Sequence, residues 1–224
     1  MDDKDWLEHK LDERLLRVAA AIHSRVHADI GTDHALLPRY LLASQRVERV
    51  IAVEKHPGPL ARARRELAAW TAEVREGDGL EPLQAGEVDS LSLTGMGARL
   101  IASILAAHPD RVPELVVVQP NDGAHWLRSW GLASGYHLRH EELVQGRWLY
   151  EVLVLRRDTT PDPAYDGLDP EVAQRFGPHL LRRQDPLLAE RLRRQQALFA
   201  DLVTHDPAVA VKHERVSRAL SYFE

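Results

Sequence analysis

Carboxylates follow the apolar segments in the first third of the chain. Asp29 and Asp33 flank the turn Gly31-Thr32, Glu54 ends the next apolar run, and Asp78 lies between two glycines. The carboxyl ends of strands line the ligand crevice of an open α/β sheet, so these side chains are expected to share one site. Asp29 or Asp33 can accept hydrogen bonds from an ammonium group. Glu54 can accept from ribose hydroxyls, and Asp78 from an adenine amine.

The turn at Gly31 argues against a diphosphate ligand. In a dinucleotide-binding Gly-x-Gly-x-x-Gly loop the second and third glycines would fall at Asp33 and Leu36. A diphosphate would meet the Asp33 carboxylate, which disfavours NAD, FAD and nucleoside triphosphates. S-adenosylmethionine, with an ammonium, a sulfonium and one carboxylate, fits better. The alternative is that Gly31 only makes a tight strand-to-helix turn, and Asp78-Gly79 can equally be a plain turn.

Two further motifs end apolar segments. The glycines of Gly95-Met96-Gly97 permit close approach of the backbone to a ligand, and Met96 can pack against an adenine or a methyl donor. Gln119-Pro120-Asn121 can present amide carbonyls to a target amine. The alternatives are a structural turn with Met96 in the core and a simple strand-ending turn.

These residues need a repeated strand, turn and helix to bring them together. An amphipathic leading helix is predicted over 6–22, with a three-and-four apolar spacing. The alternation of strands and helices after it predicts a parallel sheet with helices on both faces. The last two predicted strands are joined by a short loop and should pair as a hairpin, which predicts an antiparallel last strand at the sheet edge. The predicted strands are 26–30, 50–54, 72–75, 90–94 and 115–119, the predicted helices are 33–42, 57–70, 97–107 and 124–133, and the predicted hairpin strands are 136–144 and 149–155.

A Pro-, Gly- and Asp-containing stretch over 158–170 predicts a linker. We therefore expect two domains, a Rossmann-like sheet domain over 1–157 and a small helical, coiled-coil-like domain over 158–224. An amphipathic helical hairpin is predicted over 179–203 and another helix over 207–223. Residues 179–200 hold five arginines against two acids, which suits RNA phosphates, although a solvated helical face has the same pattern.

The composition excludes several classes of protein. The 224 residues contain no cysteine, so a disulfide framework, a thiolate zinc site and a cysteine nucleophile are impossible. His23 and His27 straddle a predicted helix-to-strand junction with no glutamate between them, so no metal site is expected. The acidic start and the lack of long apolar runs predict a cytoplasmic protein with no membrane contact. The net charge of −5 does not suggest a strongly basic RNA-binding surface.

The motifs together resemble the TrmK family of S-adenosylmethionine-dependent tRNA (adenine-N1)-methyltransferases. The similarity runs from the leading helix into the C-terminal helices. The motifs that carry it are LDERL at 11–15, ADIGTDHALLP at 28–38, GPL at 58–60, GDGL at 77–80, GMG at 95–97, QPN at 119–121, LYEVL at 149–153, AYDGL at 164–168 and FGP at 176–178.

The resemblance implies a Rossmann-like catalytic domain, S-adenosylmethionine as cofactor and tRNA as substrate, methylated at a D-loop adenine of the position 22 type. Asp33 is the candidate for stabilising positive charge on the methylated ring, while Gln119, Pro120 and Asn121 would hold the exocyclic amine. The implied cofactor contacts are Asp29, Gly31, Thr32, Asp33, His34, Leu37, Glu54, Lys55, Asp78, Gly79, Gly95, Met96 and Gly97.

RNA phosphates are expected to contact Arg14 and the C-terminal arginines Arg182, Arg183, Arg193 and Arg194. Asp12-Glu13 stands where the family often has a Ser-Lys type pair, although Arg14 keeps its place. Two other functions remain open: methylation of another RNA or a small molecule, and a non-catalytic module that binds S-adenosylmethionine or RNA. The sequence also leaves the oligomeric state open between a monomer and a weak dimer.

Overall fold

One mixed sheet organises the computed structural model, which describes residues 9–200, 202 and 206–224. In this described part the sheet has seven strands in the order β3-β2-β1-β4-β5-β7-β6. The β1–β2, β1–β4, β2–β3 and β4–β5 pairs are parallel, and β7 is antiparallel to both β5 and β6. The strands are β1 Ser24–Ile30, β2 Val47–Glu54, β3 Ala72–Glu76, β4 Ser90–Met96, β5 Leu115–Pro120, β6 Tyr136–Gln145 and β7 Leu149–Arg157.

Helices cover both faces of the sheet. The first three, α1 to α3, pack on one face around Val50, Ala52 and Val117. The next two, α4 and α5, pack on the other face around Leu91 and Leu93. The helices are α1 Glu13–Ala20, α2 Leu36–Ala43, α3 Pro57–Leu67, α4 Ala98–Ala107, α5 His125–Ser134, α6 Pro170–Phe176, α7 Pro178–Arg182, α8 Pro186–Ala200 and α9 Pro207–Leu220. The predicted α/β fold with a mostly parallel sheet is confirmed.

The antiparallel strand is present, but it does not lie at the edge as predicted. β7 lies between β5 and β6, so β6 is the edge strand. The burial pattern explains this order: Val152, Leu153 and Leu155 of β7 are buried, whereas Arg139 and His140 of β6 are exposed. An interior strand can bury apolar side chains on both faces, and an edge strand with exposed charged side chains resists pairing with other chains.

Two predicted helices begin later than the sequence pattern suggested. The leading helix begins at Glu13, where the side chain of Asp12 caps it by accepting from the Leu15 amide at 2.9 Å. The predicted part of that helix over 6–8 lies outside the described residues. The second helix begins at Leu36, because Asp33 and Ala35 both adopt the left-handed conformation, with φ of 48° and 54°.

The C-terminal helices have an apolar cluster of their own. Val172, Leu180, Leu188 and Val216 are buried in it together with Leu143 of β6. The segment predicted as a helical hairpin holds α7 and α8, and the longer helix α8 also packs against α9, where Gln196 donates to Ser217 at 3.2 Å. Residues 201 and 203, at the end of that segment, lie outside the described residues. The division of the chain after residue 157 stays a prediction.

Candidate functional site

A pocket of about 620 Å³ lies at the carboxyl ends of β1, β2, β3 and β4. Every predicted cofactor contact except Gly97, which is the N-cap of α4, lines it. The residues in the walls and rim of this pocket could not be predicted from the sequence, because the neighbouring residues in the chain do not show whether an apolar or basic side chain faces a cavity. The missed lining residues include Lys10, Leu15, Leu36, His56, Pro59, Thr94, Leu100 and Ile104.

Asp29 is one of two buried acids in the pocket, together with Glu54. It lies at the end of β1 with 3% of its surface exposed, and its Oδ1 accepts from the hydroxyl of Ser92 at 2.6 Å. Burial raises the pKa of Asp29, while the hydrogen bond from Ser92 acts in the opposite direction. A cationic group of a ligand would compensate the cost of keeping this carboxylate charged.

The turn after β1 leaves no room for a side chain at Gly31. Its φ is +71°, and a Cβ built there would collide with the methyl group of Met96. The amides of Gly31 and Thr32 donate to the carbonyl of Val53 at 2.8 and 3.1 Å. This places the turn directly beside the end of β2, with Met96 packed over it.

Glu54 shapes the same turn from β2. Its Oε2 accepts from the Asp33 amide at 3.2 Å, and its Oε1 accepts from the amides of Lys55 and His56 at 3.0 and 2.9 Å. A carboxylate has about four acceptor positions, so Glu54 can accept a further hydrogen bond from a ligand hydroxyl. The predicted pairing of Glu54 with a ribose stays a prediction.

The remaining acids of the pocket are exposed. Asp33 lies at the pocket rim with its side chain 62% exposed, and its Oδ1 is 3.5 Å from Nδ1 of His34. Asp78 lies opposite, where Nζ of Lys55 is 3.4 Å from its Oδ2. Gly79 beside it has φ of +60° and packs against Ile104. The pocket therefore combines two buried carboxylates, those of Asp29 and Glu54, with exposed carboxylates around a narrow glycine turn.

This set of groups fits S-adenosylmethionine. Asp29, Glu54 and Asp78 lie at or just past the carboxyl ends of three neighbouring strands. The absence of a side chain at Gly31 lets the backbone of the turn come close to a ligand. A diphosphate would meet these carboxylates, whereas a ligand with an ammonium and a sulfonium is attracted by them. The chemistry of the pocket thus agrees with the predicted cofactor.

Gln119 and Pro120 lie beside the pocket, although they do not line it. Oε1 of Gln119 accepts from the Gly95 amide at 3.2 Å and from the guanidinium of Arg14. Nε2 of Gln119 donates to the Pro120 carbonyl at 2.7 Å. The Gln119 oxygen predicted to hold a substrate amine is therefore used within the chain.

The side chain of Asn121 uses its amide nitrogen within the chain, in contrast to its oxygen. Its Nδ2 donates to the Gly95 carbonyl at 2.7 Å, and its backbone amide donates to the Met96 carbonyl at 2.8 Å. Among the residues that the structure describes, none donates to its Oδ1. That oxygen remains available at the junction of β5 with the Gly95-Met96-Gly97 loop.

The predicted RNA contacts fall into three groups. Arg14 lines the pocket and binds Gln119. Arg182 donates to the carbonyls of Ala164, Pro163 and Asp166, while Arg183 donates to Asp185 and to the Glu141 carbonyl. Arg193 and Arg194 are exposed on α8, and Arg194 pairs with Glu190 in the preceding turn.

Two exposed tryptophans beside arginines were missed from the sequence. Trp126, 40% exposed at the start of α5, lies with its ring 4.5 Å from Cζ of Arg99. Trp148, 65% exposed at the tip of the β6–β7 hairpin, lies 5.8 Å from Cζ of Arg147. The adjacent pair Arg147-Trp148 in a polar hairpin turn could have pointed to an RNA-binding surface, because aromatic rings beside arginines are a common feature of surfaces that bind single-stranded RNA.

Comparison with known proteins agrees with this geometry. A family model for TrmK, tRNA (adenine(22)-N(1))-methyltransferase, matches residues 27–220. The tRNA (adenine(22)-N(1))-methyltransferase of Bacillus subtilis (strain 168) is 36% identical over 193 residues, which cover 82% of this chain and 80% of that protein. The chain belongs to the TrmK family.

Solved structures of similar proteins show the same fold. The B. subtilis m1A22 tRNA methyltransferase TrmK superposes with a TM-score of 0.85 at 30% identity, covering 94% of this chain and 98% of that one. A Streptococcus pneumoniae protein in complex with S-adenosyl-L-methionine superposes with a TM-score of 0.82 at 25% identity, covering 94% and 99%. The Rossmann-like sheet and the C-terminal helices are thus those of TrmK proteins.

Two further observations concern this TrmK protein. Within the described residues, no helix has both the length and the apolar character needed to cross a membrane. The same part of the chain contains no group of three or more histidine, aspartate or glutamate side chains arranged to hold a metal ion.

Proposed function

We propose that this protein transfers the methyl group of S-adenosylmethionine to N1 of an adenine at position 22 in the D-loop of tRNA. The observation that carries the proposal is the match of residues 27–220 to the tRNA (adenine(22)-N(1))-methyltransferase family. The pocket supports it, because its carboxylates and its glycine turn suit the cofactor of that reaction.

The cofactor residues have separate tasks in this proposal. S-adenosylmethionine supplies an electrophilic methyl group on a sulfonium. Asp29 accepts from the ammonium group, Glu54 from the ribose hydroxyls and Asp78 from the adenine amine. Lys55 is 3.4 Å from Asp78 and orients that carboxylate at the rim.

The substrate adenine must leave its stack, because N1 lies on its Watson–Crick edge. Extruding a base costs a few kcal/mol and requires a pocket that holds it. The N1 lone pair of neutral adenine is available without a base, so the chain contributes mainly positioning and electrostatics. Oδ1 of Asn121 accepts from the exocyclic amine, and the Pro120 carbonyl has a second lone pair for the same group.

The other catalytic candidates act differently. Asp33 is exposed at the rim, where its carboxylate can stabilise the positive charge that develops on the methylated ring. Gln119 acts by holding the loop, since its carbonyl oxygen already binds Arg14 and the Gly95 amide.

The tRNA surface extends beyond the pocket in two directions. Arg193 and Arg194 on α8 are exposed and can contact phosphates. Trp126 with Arg99 follows the Asn121 loop, and Trp148 with Arg147 stands at the hairpin tip, so either can stack on a nucleotide near the target. The internal hydrogen bonds of Arg182 and Arg183 make a structural role the better interpretation for these two. Because the proposed substrate is tRNA, the proposal includes a cytoplasmic location for the enzyme.

Methyl transfer to unmodified tRNA tests the function. The full chain is incubated with labelled S-adenosylmethionine and tRNA, and reverse-transcription stops are mapped, since an N1 methyl group blocks pairing. We expect one stop at a D-loop adenine and none in a matched tRNA with guanosine at that position. Label on a small molecule alone, or cofactor binding with no transfer to any RNA, would overturn the proposal.

A further inference from the structure

A line of buried polar side chains crosses the middle of the sheet and ends at the pocket. His27 of β1 is fully buried, with Nδ1 2.7 Å from Oγ of Ser90 and Nε2 2.9 Å from Oγ of Ser92. Ser92 in turn reaches Oδ1 of Asp29 at 2.6 Å, and Ser24 lies 2.7 Å from Ser90. The parallel pairing of His27 with Ser90 and of Asp29 with Ser92 makes this line possible.

When Asp29 is charged, the donors and acceptors along this line can be assigned in only one way. The line consists of Ser24, Ser90, His27, Ser92 and Asp29. A carboxylate only accepts, so the Ser92 hydroxyl donates to Asp29. Ser92 must then accept from His27, which therefore carries its proton on Nε2. Nδ1 is left as an acceptor, so Ser90 donates to it and accepts from Ser24 in turn.

The histidine itself is neutral. Burial lowers the pKa of His27 to about 3, so its ring has one donor and one acceptor near neutral pH. Polar groups in a sheet interior are costly unless all of them are paired, and this line pairs both ring nitrogens. In this tautomer the His27 ring donates to the oxygen of the Ser92 hydroxyl, whose own proton is donated to Asp29.

We propose that His27 and Ser92 are positioning residues for the methyl-donor cofactor: the Ser92 hydroxyl, which accepts from Nε2–H of His27, holds Oδ1 of Asp29, so that Oδ2 receives the ammonium group of S-adenosylmethionine. Asp29 lines the pocket, whereas His27 and Ser92 do not. They act on the ligand through the carboxylate alone. The inference rests on the proposed function only for the identity of the ligand.

The tautomer is tested on the unmodified protein. The chain is labelled with ¹⁵N-histidine, and long-range ¹H–¹⁵N spectra report which ring nitrogen carries the proton, with His27→Gln used for assignment. We expect the Nε2–H form, with shifts that stay constant between about pH 5 and 8 because the pKa lies far below that range. A proton on Nδ1, or titration in that range, overturns the directed line.

The effect on binding is tested by a matched pair of serines. Ser92→Ala cuts the line beside Asp29, whereas Ser90→Ala cuts it on the far side of His27. We expect Ser92→Ala to weaken binding of S-adenosylmethionine about tenfold by calorimetry, while Ser90→Ala changes it less than about threefold. Ser92→Thr keeps the hydroxyl and should restore binding. Equal losses for the two alanine variants would mean a structural role and overturn the proposal.

A truncated ligand separates the ammonium contact from general damage to the pocket. 5′-Methylthioadenosine lacks the amino-acid portion, so Ser92→Ala should bind it with the affinity of the unmodified protein. A parallel loss for both ligands overturns the assignment. None of these measurements uses tRNA: a failed methylation assay with these results intact removes the proposed substrate and leaves the positioning role in place.

Discussion

The guanidinium of Arg14, in the first turn of α1, donates to the side-chain oxygen of Gln119, which lies 105 residues further along the chain. The same oxygen accepts from the Gly95 amide at 3.2 Å, and Arg14 lies over the ring of Tyr150 at 5.4 Å. The leading helix, the end of β5 and the end of β4 therefore meet at one amide group, and Arg14 also contacts β7 through Tyr150. Gly95 lines the pocket and its carbonyl accepts from Asn121, so this contact links the pocket to Asn121.

Disruption of this hydrogen bond is expected to impair methyl transfer. Arg14→Ala and Gln119→Ala should each lower kcat/KM about tenfold or more, because each releases the Gly95 loop. Steady-state kinetics on tRNA measure the effect. Since both changes remove the same hydrogen bond, the double variant should be no worse than the poorer single variant.

Arg17→Ala is the matched control on the same helix. Arg17 is half exposed and pairs with Glu13 at the surface, so its replacement should leave kcat/KM within about twofold. Fully additive effects in the Arg14 and Gln119 double variant would show that the two residues act independently.

Replacement of the turn glycine should damage both stability and cofactor binding. Gly31→Ala puts a side chain at φ of +71° and against Met96, which must move toward the pocket. We expect a loss of about 1 kcal/mol or more in the free energy of unfolding and weaker binding of S-adenosylmethionine. Thermal unfolding and calorimetry measure the two effects. Gly58→Ala is the control: Gly58 lies in the first turn of α3 and its new Cβ meets nothing within 4 Å, so the change should leave cofactor binding unaltered and should not lower the free energy of unfolding.

The arginines of the C-terminal helices should separate by role. Arg193→Ala with Arg194→Ala should weaken tRNA binding and reduce its dependence on salt by about one unit of slope for each phosphate that is no longer neutralised. Arg182→Ala removes hydrogen bonds to the carbonyls of Ala164, Pro163 and Asp166, so it should lower the melting temperature and leave the salt dependence unchanged. If Arg182→Ala instead reduced the salt dependence of tRNA binding and left the melting temperature unchanged, Arg182 would be an RNA-binding residue.

A buried ion cluster should make the stability sensitive to acid. Glu151 binds Arg128 at 2.5 Å and Arg191 at 2.9 Å. Burial alone would raise the pKa of Glu151, but these positive charges outweigh it and lower the pKa to about 2, against an ordinary value of 4.5. Because this pKa is lower in the folded chain than in the unfolded chain, ionised Glu151 stabilises the fold. Its contribution to the free energy of unfolding is complete above about pH 4.5 and is lost as the pH falls toward 2. Urea unfolding at stepwise lower pH should show the fall.

Glu151→Gln should flatten that dependence, because the variant has no proton to gain at this position. Glu114→Gln is the control: Glu114 is 62% exposed and pairs with Arg156, so its replacement should leave the acid dependence as it is. A Glu151→Gln protein with the full acid dependence would assign the effect to other carboxyl groups.

The alternation of strands and helices and the acids of the cofactor pocket were readable from the residues themselves. Hydrophobic periodicity is a local property. Asp29, Glu54 and Asp78 each lie at or just past the end of a strand whose neighbours in the sheet follow from the usual connection rules. The same is true of the antiparallel hairpin, whose short turn lies within one segment of the chain.

Other features depend on contacts between distant segments and could not be read locally. Asp33 and Ala35 adopt left-handed conformations because the turn is held against the end of β2, so α2 begins later than its apolar spacing suggests. Whether β7 or β6 takes the edge depends on which can bury two faces. The pairing of Arg14 with Gln119 and the line from Ser24 to Asp29 exist only where packing brings these side chains within hydrogen-bond distance and removes water.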